Sequence, residues 1–325
     1  MDSLALLLAP VDPALFFSKN DPDDPRMGDI TLRDPGDFPG AARVALIGVP
    51  QDIGVERNGG RTGAAAAPDM VRAMLYRLTP YAGEGDSIPE GFLFDMGNIR
   101  CDGTLEEIHG RLAEVVRHVC SAGLLPVVIG GGHDITYAAA SGVYDVHGAL
   151  GVLNVDAHLD VRPPNPLRNS GTWFRMLIEE EKIATHGAVE FGIQSFANAE
   201  AHARWFREHG GRIMPLHEIR SLGFQKALST ALLMAGSGAD HLYGTLDIDG
   251  VRAADAPGVS ATMPDGLSGA EFLAAAYALG ARPNIAALDL VELNPRFDRD
   301  NITAKLAAHA VMRFMLAVKR SKLKT

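Results

Sequence analysis

The chain has 325 residues, 47% hydrophobic and 22% charged, an ordinary globular balance with material for a large core. A formal net charge of -10, with no Lys/Arg block ahead of the last few residues, argues against a nucleic-acid or anionic-membrane partner. The two cysteines, Cys101 and Cys120, form no CxxC pattern, so they offer neither a thiolate metal site nor a disulfide framework and suit a reducing cytoplasm.

Residues 1–40 are rich in Asp and Pro and read as an irregular lead-in to a single domain over residues 41–325. The apolar stretch Leu4 to Leu8 follows Met1-Asp2 without a basic region, so it does not read as a signal peptide. No apolar run is long enough to span a bilayer, and the expectation is a soluble, cytoplasmic protein. Ala42 to Val49 is a continuous apolar strand, followed by a loop of turn formers from Pro50 to Arg61. A helix with Pro68 in its first turn runs to Leu78, and Gly91 to Met96 is a second strand. Thr104 to Ala122 is an amphipathic helix opened by a capping box, Thr104-Leu105-Glu106-Glu107. Leu124 to Ile129 is the third strand and runs into Gly130-Gly131-Gly132-His133-Asp134, with a helix beyond it to about Val146.

The run Leu150 to Leu153 leads into Asn154-Val155-Asp156-Ala157-His158-Leu159-Asp160-Val161-Arg162. After Ser170-Gly171 a helix extends to about Lys182. Strands over Gly187–Gln194 and Gly211–Leu216 flank a helix over Asn198–His209, and another helix spans Phe224–Ala235. His241 to Asp249 is a strand, followed by a long Gly/Pro/Asp loop and a helix over Ser268–Leu279. Asn284 to Leu293 is the last strand and Thr303 to about Val318 the closing helix, with the basic tail Lys319 to Lys324 as a solvated helix end. Roughly eight strands alternating with helices predict an α/β fold whose parallel sheet carries helices on both faces. A closed eight-stranded barrel is the alternative topology.

In a strand, residues two apart share a side, so Asp156, His158 and Asp160 converge while Leu159 and Val161 turn away. Two carboxylates and an imidazole on one buried face call for a compensating cation. The competing reading is one buried Asp–His hydrogen bond beside a loop carboxylate. Two further strand ends carry similar groups, His133 and the pair Asp247/Asp249. In α/β folds ligands bind beyond the carboxyl ends of the strands. The combined set holds two histidines, four aspartates and no sulfur, which favours Mn²⁺ and also admits Ni²⁺, Co²⁺ or Zn²⁺. Six ligands are too many for one transition ion and suit two, about 3.5–4 Å apart with bridging carboxylates.

Gly-Gly-Gly-His-Asp at 130–134, Asp-Ala-His-Leu-Asp at 156–160 and Leu-Asp-Ile-Asp at 246–249 resemble the three signatures of the ureohydrolase (arginase, agmatinase, formimidoylglutamase) superfamily. The resemblance runs from about Val44 to Ala310. Four more stretches are similar to the formimidoylglutamase branch: Arg57 to Arg61, Arg162-Pro163 with Ser170-Gly171-Thr172, Phe191 to Gln194, and Ala256 to Ala261. The resemblance implies a three-layer α/β/α fold with a parallel eight-stranded sheet, and homo-oligomers. It implies one ion on His133, Asp156, Asp160 and Asp247 and a second on His158, Asp156, Asp247 and Asp249. Two divalent ions sharing a water generate hydroxide at neutral pH, which would attack an amidine carbon. Asp160 is then the proton carrier and Glu292 the acidic residue facing the amidinium group.

Arginases carry Ser-Gly-Asn-Leu-His-Gly where this chain has Ser170 to Arg175, so Phe174 stands in place of their proton-shuttling histidine. Arg162 replaces an arginase asparagine and can grip a carboxylate bidentately. Asn58 and Ser170 lie in the resembling stretches as further substrate contacts, and Arg57, Arg61 and Arg175 are candidates for a second carboxylate. Trp173 stands where the branch usually has proline. The expected reaction is hydrolysis of N-formimidoyl-L-glutamate, an anionic amidine, to L-glutamate and formamide in histidine breakdown. A guanidine substrate such as agmatine, guanidinobutyrate or arginine, a non-catalytic regulatory member and a dinuclear phosphoesterase are the alternatives.

Overall fold

Where an apolar run meets a cluster of turn formers, the chain forms a buried strand, and nine such segments join one sheet. They are β1 (Leu8–Ala9), β2 (Val44–Val49), β3 (Leu93–Ile99), β4 (Leu125–Gly130), β5 (Leu150–Val155), β6 (Ile183–Ile193), β7 (Arg212–Pro215), β8 (His241–Asp247) and β9 (Ile285–Val291). The computed structural model describes Leu4 and residues 6–322. Met1 to Ser3 and Ala5, on which part of the signal-peptide reading rests, lie outside the described residues, as do Leu323 and Lys324 of the basic tail.

The strand order is β1-β3-β2-β4-β9-β8-β5-β6-β7. The eight longer strands pair in parallel, and β1 adds an antiparallel edge against β3. The sheet is open, with β1 and β7 at its edges, so the closed-barrel alternative falls.

Alternation along each strand sends side chains into two separate cores. In β2, Val44 and Leu46 enter one core while Ala45, Ile47 and Val49 enter the other. The first core is roofed by helices Ala67–Leu75, Phe224–Ala235, Gly269–Gly280 and Ile302–Lys322, through residues such as Val71, Leu228, Phe272 and Phe314. The second is roofed by Leu105–Ser121, Ile135–His147, Trp173–Glu179 and Glu200–Glu208, through Leu112, Ala139, Phe174 and Phe206. This is a three-layer α/β/α architecture, as the alternation and the resemblance led us to expect. The capping box on Leu105–Ser121 forms as read, with Thr104 accepting from Glu107 N and Glu107 accepting from Thr104 N.

Several local readings differ from the structure. The loop after β2 contains a short helix, Ile53–Arg57, and a further helix covers Leu216–Leu222. The end of the last helix is not simply solvated. Lys319 and Arg320 both bond the Asp86 carboxylate of a small hairpin, Tyr81–Gly83 with Asp86–Ser87, and Arg320 Nη2 lies 2.6 Å from Asp86 Oδ2.

Arg72 ties the helix Ala67–Leu75 to β3 from a fully buried position. Its Nε and Nη2 donate to the two oxygens of Asp95 at 2.8 and 2.9 Å, and its Nη1 donates to Asn98 Oδ1 at 2.6 Å. Burial opposes the guanidinium charge, but the Asp95 carboxylate outweighs it and raises the Arg72 pKa above its ordinary value. Removing one partner strands a buried charge. We expect Arg72→Met to lower stability by about 3–5 kcal/mol, read from the urea midpoint, and a double Arg72→Met/Asp95→Leu variant to recover much of that loss.

Candidate metal centre

Four neighbouring strands, β4, β9, β8 and β5, lie side by side in the sheet and point the same way. Their carboxyl ends therefore meet, and each releases acidic or imidazole groups into the same space. His133 follows β4, Glu292 follows β9, Asp247 ends β8 with Asp249 just beyond, and Asp156, His158 and Asp160 follow β5.

The convergence at β5 has a different cause from strand alternation. The strand stops at Val155, and residues 156–160 form a turn in which Asp160 has φ 48°, in the left-handed region. Glu292 is likewise left-handed, at φ 64°. Such backbone costs on the order of 1–3 kcal/mol per residue and persists where the surroundings over-determine it. The turn after β4 is just as constrained, because a Cβ at Gly131 would run into the Gln51 carbonyl. β8 stops at Asp247, whose Oδ1 caps a single 3-10 turn by accepting from Asp249 N at 2.8 Å.

His133 is the hub. Its Nε2 lies 2.9 Å from Thr245 Oγ1, a residue two before Asp247 on β8. That contact aims Nδ1 at three carboxylate oxygens: Asp247 Oδ2 at 2.9 Å, Asp160 Oδ2 at 3.0 Å and Asp156 Oδ2 at 3.3 Å. One imidazole proton cannot satisfy three carboxylates, and Nδ1 makes no hydrogen bond of acceptable geometry. Burial opposes charge on His133, but the carboxylates of Asp156, Asp160 and Asp247 prevail and raise its pKa well above the ordinary value. Asp247 is pushed well upward by burial and by the charges of Asp249 and Asp156.

A second cluster adjoins the first. His158 Nδ1 lies 3.2 Å from Asp249 Oδ2 and 3.5 Å from Asp156 Oδ1. Asp156 therefore gives one oxygen to each cluster. Its Oδ1 also accepts from His158 N at 2.6 Å, and its Oδ2 from Asn154 Nδ2 at 3.1 Å. Among the described residues, two sets have ligand atoms within 4.8 Å of one another: His133/Asp156/Asp160/Asp247 and Asp156/His158/Asp249. Asp247 joins the first set alone. The chemistry of both sets fits divalent cations. They hold only nitrogen and oxygen donors, and the buried atoms His133 Nδ1 and Asp249 Oδ1 lack a partner that a cation would supply.

A cavity of about 200 Å³ opens onto these groups. It is lined by His158, Asp160, Asp247, Asp249 and Glu292 together with Asn58, Arg162, Ser170, Ser260 and Ala261. Glu292 is buried and its Oε1 accepts from His133 N at 2.9 Å. Burial and the neighbouring Asp249 charge push its carboxyl up to about 8. Arg162 Nη1 donates to Asn58 Oδ1 at 2.5 Å and Asn58 Nδ2 to Ser170 Oγ at 3.0 Å, a chain that holds the guanidinium at the cavity wall. No carboxylate among the described residues pairs with Arg162.

The other three arginines do not line this cavity. Arg57 Nη1 pairs with Glu106 at 2.9 Å. Arg61 donates to Val259 O at 2.7 Å and covers the Phe297 ring. Arg175 pairs with Glu179 at 2.7 Å and lies over Trp205. Each cation is already engaged elsewhere, which the spacing of residues could not reveal. Sequence reasoning also missed Thr245 as a support for His133, although its two-residue spacing from Asp247 put both on one strand face. Ser260 and Ala261 stood only within a resembling stretch.

The sequence profile of the arginase family matches residues 42–317. Formimidoylglutamase of Geobacillus thermodenitrificans is 36% identical over 280 residues, covering 85% of this chain and 84% of that protein. Formimidoylglutamase of Aeromonas hydrophila is 34% identical over 322 residues, covering 93% and 97%. Among solved structures, Trypanosoma cruzi formiminoglutamase with Mn2+2 superposes with a TM-score of 0.84 at 34% identity, over 91% of this chain and 99% of the other.

Chelator-stripped protein should gain about 2.7 kcal/mol of stability when a divalent transition metal is added at 100 times its dissociation constant, seen as a rise in Tm. Metal analysis after desalting should count no bound ion in Asp156→Ala, which loses the shared carboxylate, and one in Asp249→Ala.

Proposed function

The chain belongs to the arginase family, and on that premise we propose that it hydrolyses N-formimidoyl-L-glutamate to L-glutamate and formamide with two bound Mn²⁺ ions. One observation carries the choice of substrate. A guanidinium with no carboxylate partner among the described residues, Arg162, shares a small cavity with Asp160, Asp247, Asp249, Glu292 and His158. A ligand that complements both kinds of group carries a cationic amidine and a carboxylate.

His133, Asp156, Asp160 and Asp247 would hold one ion, and His158, Asp156 and Asp249 the other. When bound, the pair supplies Lewis acidity and lowers the pKa of water enough to make it nucleophilic at neutral pH. Asp160 then handles the proton. Its Oδ2 already accepts from Trp173 Nε1 at 2.9 Å, so Oδ1 is the atom that takes the proton from water and delivers it to the departing glutamate nitrogen. Glu292, with Oε1 engaged by His133 N, would accept a charge-assisted hydrogen bond from the amidinium group on Oε2, the positive charge of the ligand and of the bound cations offsetting the burial that raises its carboxyl. Arg162, steadied by Asn58 and Ser170, binds a substrate carboxylate. Trp173 Nε1 and His133 N hold the carboxylates of Asp160 and Glu292 without substrate, so little reorganisation remains for the reaction itself.

The test is a substrate panel with Mn²⁺-loaded protein, assaying formamide and urea separately. Formamide release from N-formimidoyl-L-glutamate is the expected result; urea from a guanidine with no formamide would overturn the reading. Arg162→Gln should raise KM for the amidine roughly tenfold to a hundredfold with a smaller change in kcat, matching a lost charged hydrogen bond of about 1.5–3 kcal/mol.

A further inference from the structure

Trp173 is the first residue of the helix Trp173–Glu179 and is 1% exposed. A buried tryptophan at a helix start is ordinarily a packing residue, and part of this ring fits that description. It stacks on Phe174 with centroids 4.4 Å apart and planes 6° from parallel, and Phe174 in turn packs on Phe206. The other contacts are of a different kind. The indole Nε1 donates to Asp160 Oδ2 at 2.9 Å, and the ring lies 4.7 Å from the His133 imidazole. One side chain thus touches groups from two separate strand ends, both in the same four-residue ligand set.

Asp160 needs such a contact. It sits beyond the end of β5 on left-handed backbone, and among the described residues Trp173 is the only hydrogen-bond donor recorded for its carboxylate. The oxygen that Trp173 engages is also the one that lies 3.0 Å from His133 Nδ1. Without the indole N–H, the carboxylate would lose the hydrogen bond that holds its plane in the orientation presenting an oxygen to the ligand set. The indole itself has little freedom. Arg162 N donates to Gly171 O at 2.9 Å, Ser170 N donates to Gly54 O at 3.1 Å, and Thr172 Oγ1 closes back on Asn169 O at 2.9 Å. These bonds clamp the turn that delivers Trp173.

We infer that Trp173 is a positioning residue of the metal centre: its N–H sets the rotamer of Asp160 and its ring braces His133, so that both ligands are preset for the cation. The inference rests on the metal-centre reading proposed above. Groups that orient metal ligands commonly change metal affinity or activity by 10–100-fold when removed. Trp173→Phe keeps the aromatic stack and deletes only the donor and one ring. Its Mn²⁺ affinity should fall by about that factor, and kcat should fall with KM nearly unchanged, since the indole does not line the substrate cavity.

The experiment titrates metal-free, full-length protein with MnCl₂, counting free Mn²⁺ by electron paramagnetic resonance while recording tryptophan emission. The chain has two tryptophans, and the second, Trp205, lies against Arg175 and His209. Trp205→Phe should bind Mn²⁺ like the wild type and show emission quenched as the ions load. Trp173→Phe should lose that quenching and bind about 10–100-fold more weakly. Unchanged affinity in Trp173→Phe, with normal binding by the wild type, overturns this inference alone. A wild type that binds no Mn²⁺ overturns the metal-centre reading with it. Should Trp173→Phe fail to fold, the single indole N–H resonance of Trp205→Phe decides. Selective broadening by substoichiometric Mn²⁺ supports the contact, and an unaffected resonance overturns it.

Discussion

Like charge crowded into a buried space is the constraint around which the site is organised. Asp156, Asp247, Asp249 and Glu292 are all buried, Asp160 is nearly so, and among the described residues the basic groups that pair with them are two imidazoles. Burial raises Asp247, Asp249 and Glu292 above the ordinary carboxylate range. Asp156 goes the other way: burial opposes its charge, but the adjoining His133 and His158 imidazoles hold its pKa below the ordinary value. A fold that only needed stability would not keep such a cluster, since apolar replacements of similar volume would serve it better. Cations relieve the repulsion, fill the bonding capacity left at His133 Nδ1 and Asp249 Oδ1, and convert a costly arrangement into a reactive one.

The sheet makes that concentration of charge possible. Parallel pairing places the carboxyl ends of β4, β9, β8 and β5 next to one another, although their sequence positions span from Leu125 to Val291. Both faces of these strands carry mostly apolar side chains, with Asn154, Thr245 and Asp289 as buried exceptions, and the metal-type groups gather at the ends, where the chain turns. The supports come from the same neighbours: Thr245 on β8 orients His133 beyond β4, and His133 N holds Glu292 beyond β9. His133 and Glu292 are thus each held from a strand other than their own, whereas Asp156 and Asp247 are held locally, by His158 N, Asn154 Nδ2 and Asp249 N. Arg162, held through Asn58 and Ser170, adds a guanidinium to the lining of the same cavity as the acidic groups.

Much of this was legible beforehand. Apolar runs bounded by turn formers located the eight parallel strands, and their alternation with helices predicted the layers. His133, Asp156, His158, Asp160, Asp247 and Asp249 stood out because polar, metal-type groups at the ends of buried strands have few structural uses. The reason given for their convergence was only partly right. Period-two alternation would align residues 156, 158 and 160, but the strand stops at Val155 and a left-handed turn at Asp160 does the work. The arginines show the opposite failure. Arg57, Arg61 and Arg175 had the right chemistry for a second carboxylate, yet none lines the cavity and each already has an acidic, carbonyl or aromatic partner.

Sequence alone determined what is periodic or chemical: the α/β alternation, the helix caps, and the donor set of nitrogen and oxygen without sulfur. These follow from residue type and spacing, which are local properties. Tertiary structure decided everything that depends on partners distant in the chain. It chose which of four arginines faces the cavity, gave Asp156 one oxygen for each cluster, and set Trp173 against both Asp160 and His133. Hydrogen-bond direction and rotamer are settled by neighbours brought from other strands, and no local pattern of residues encodes them.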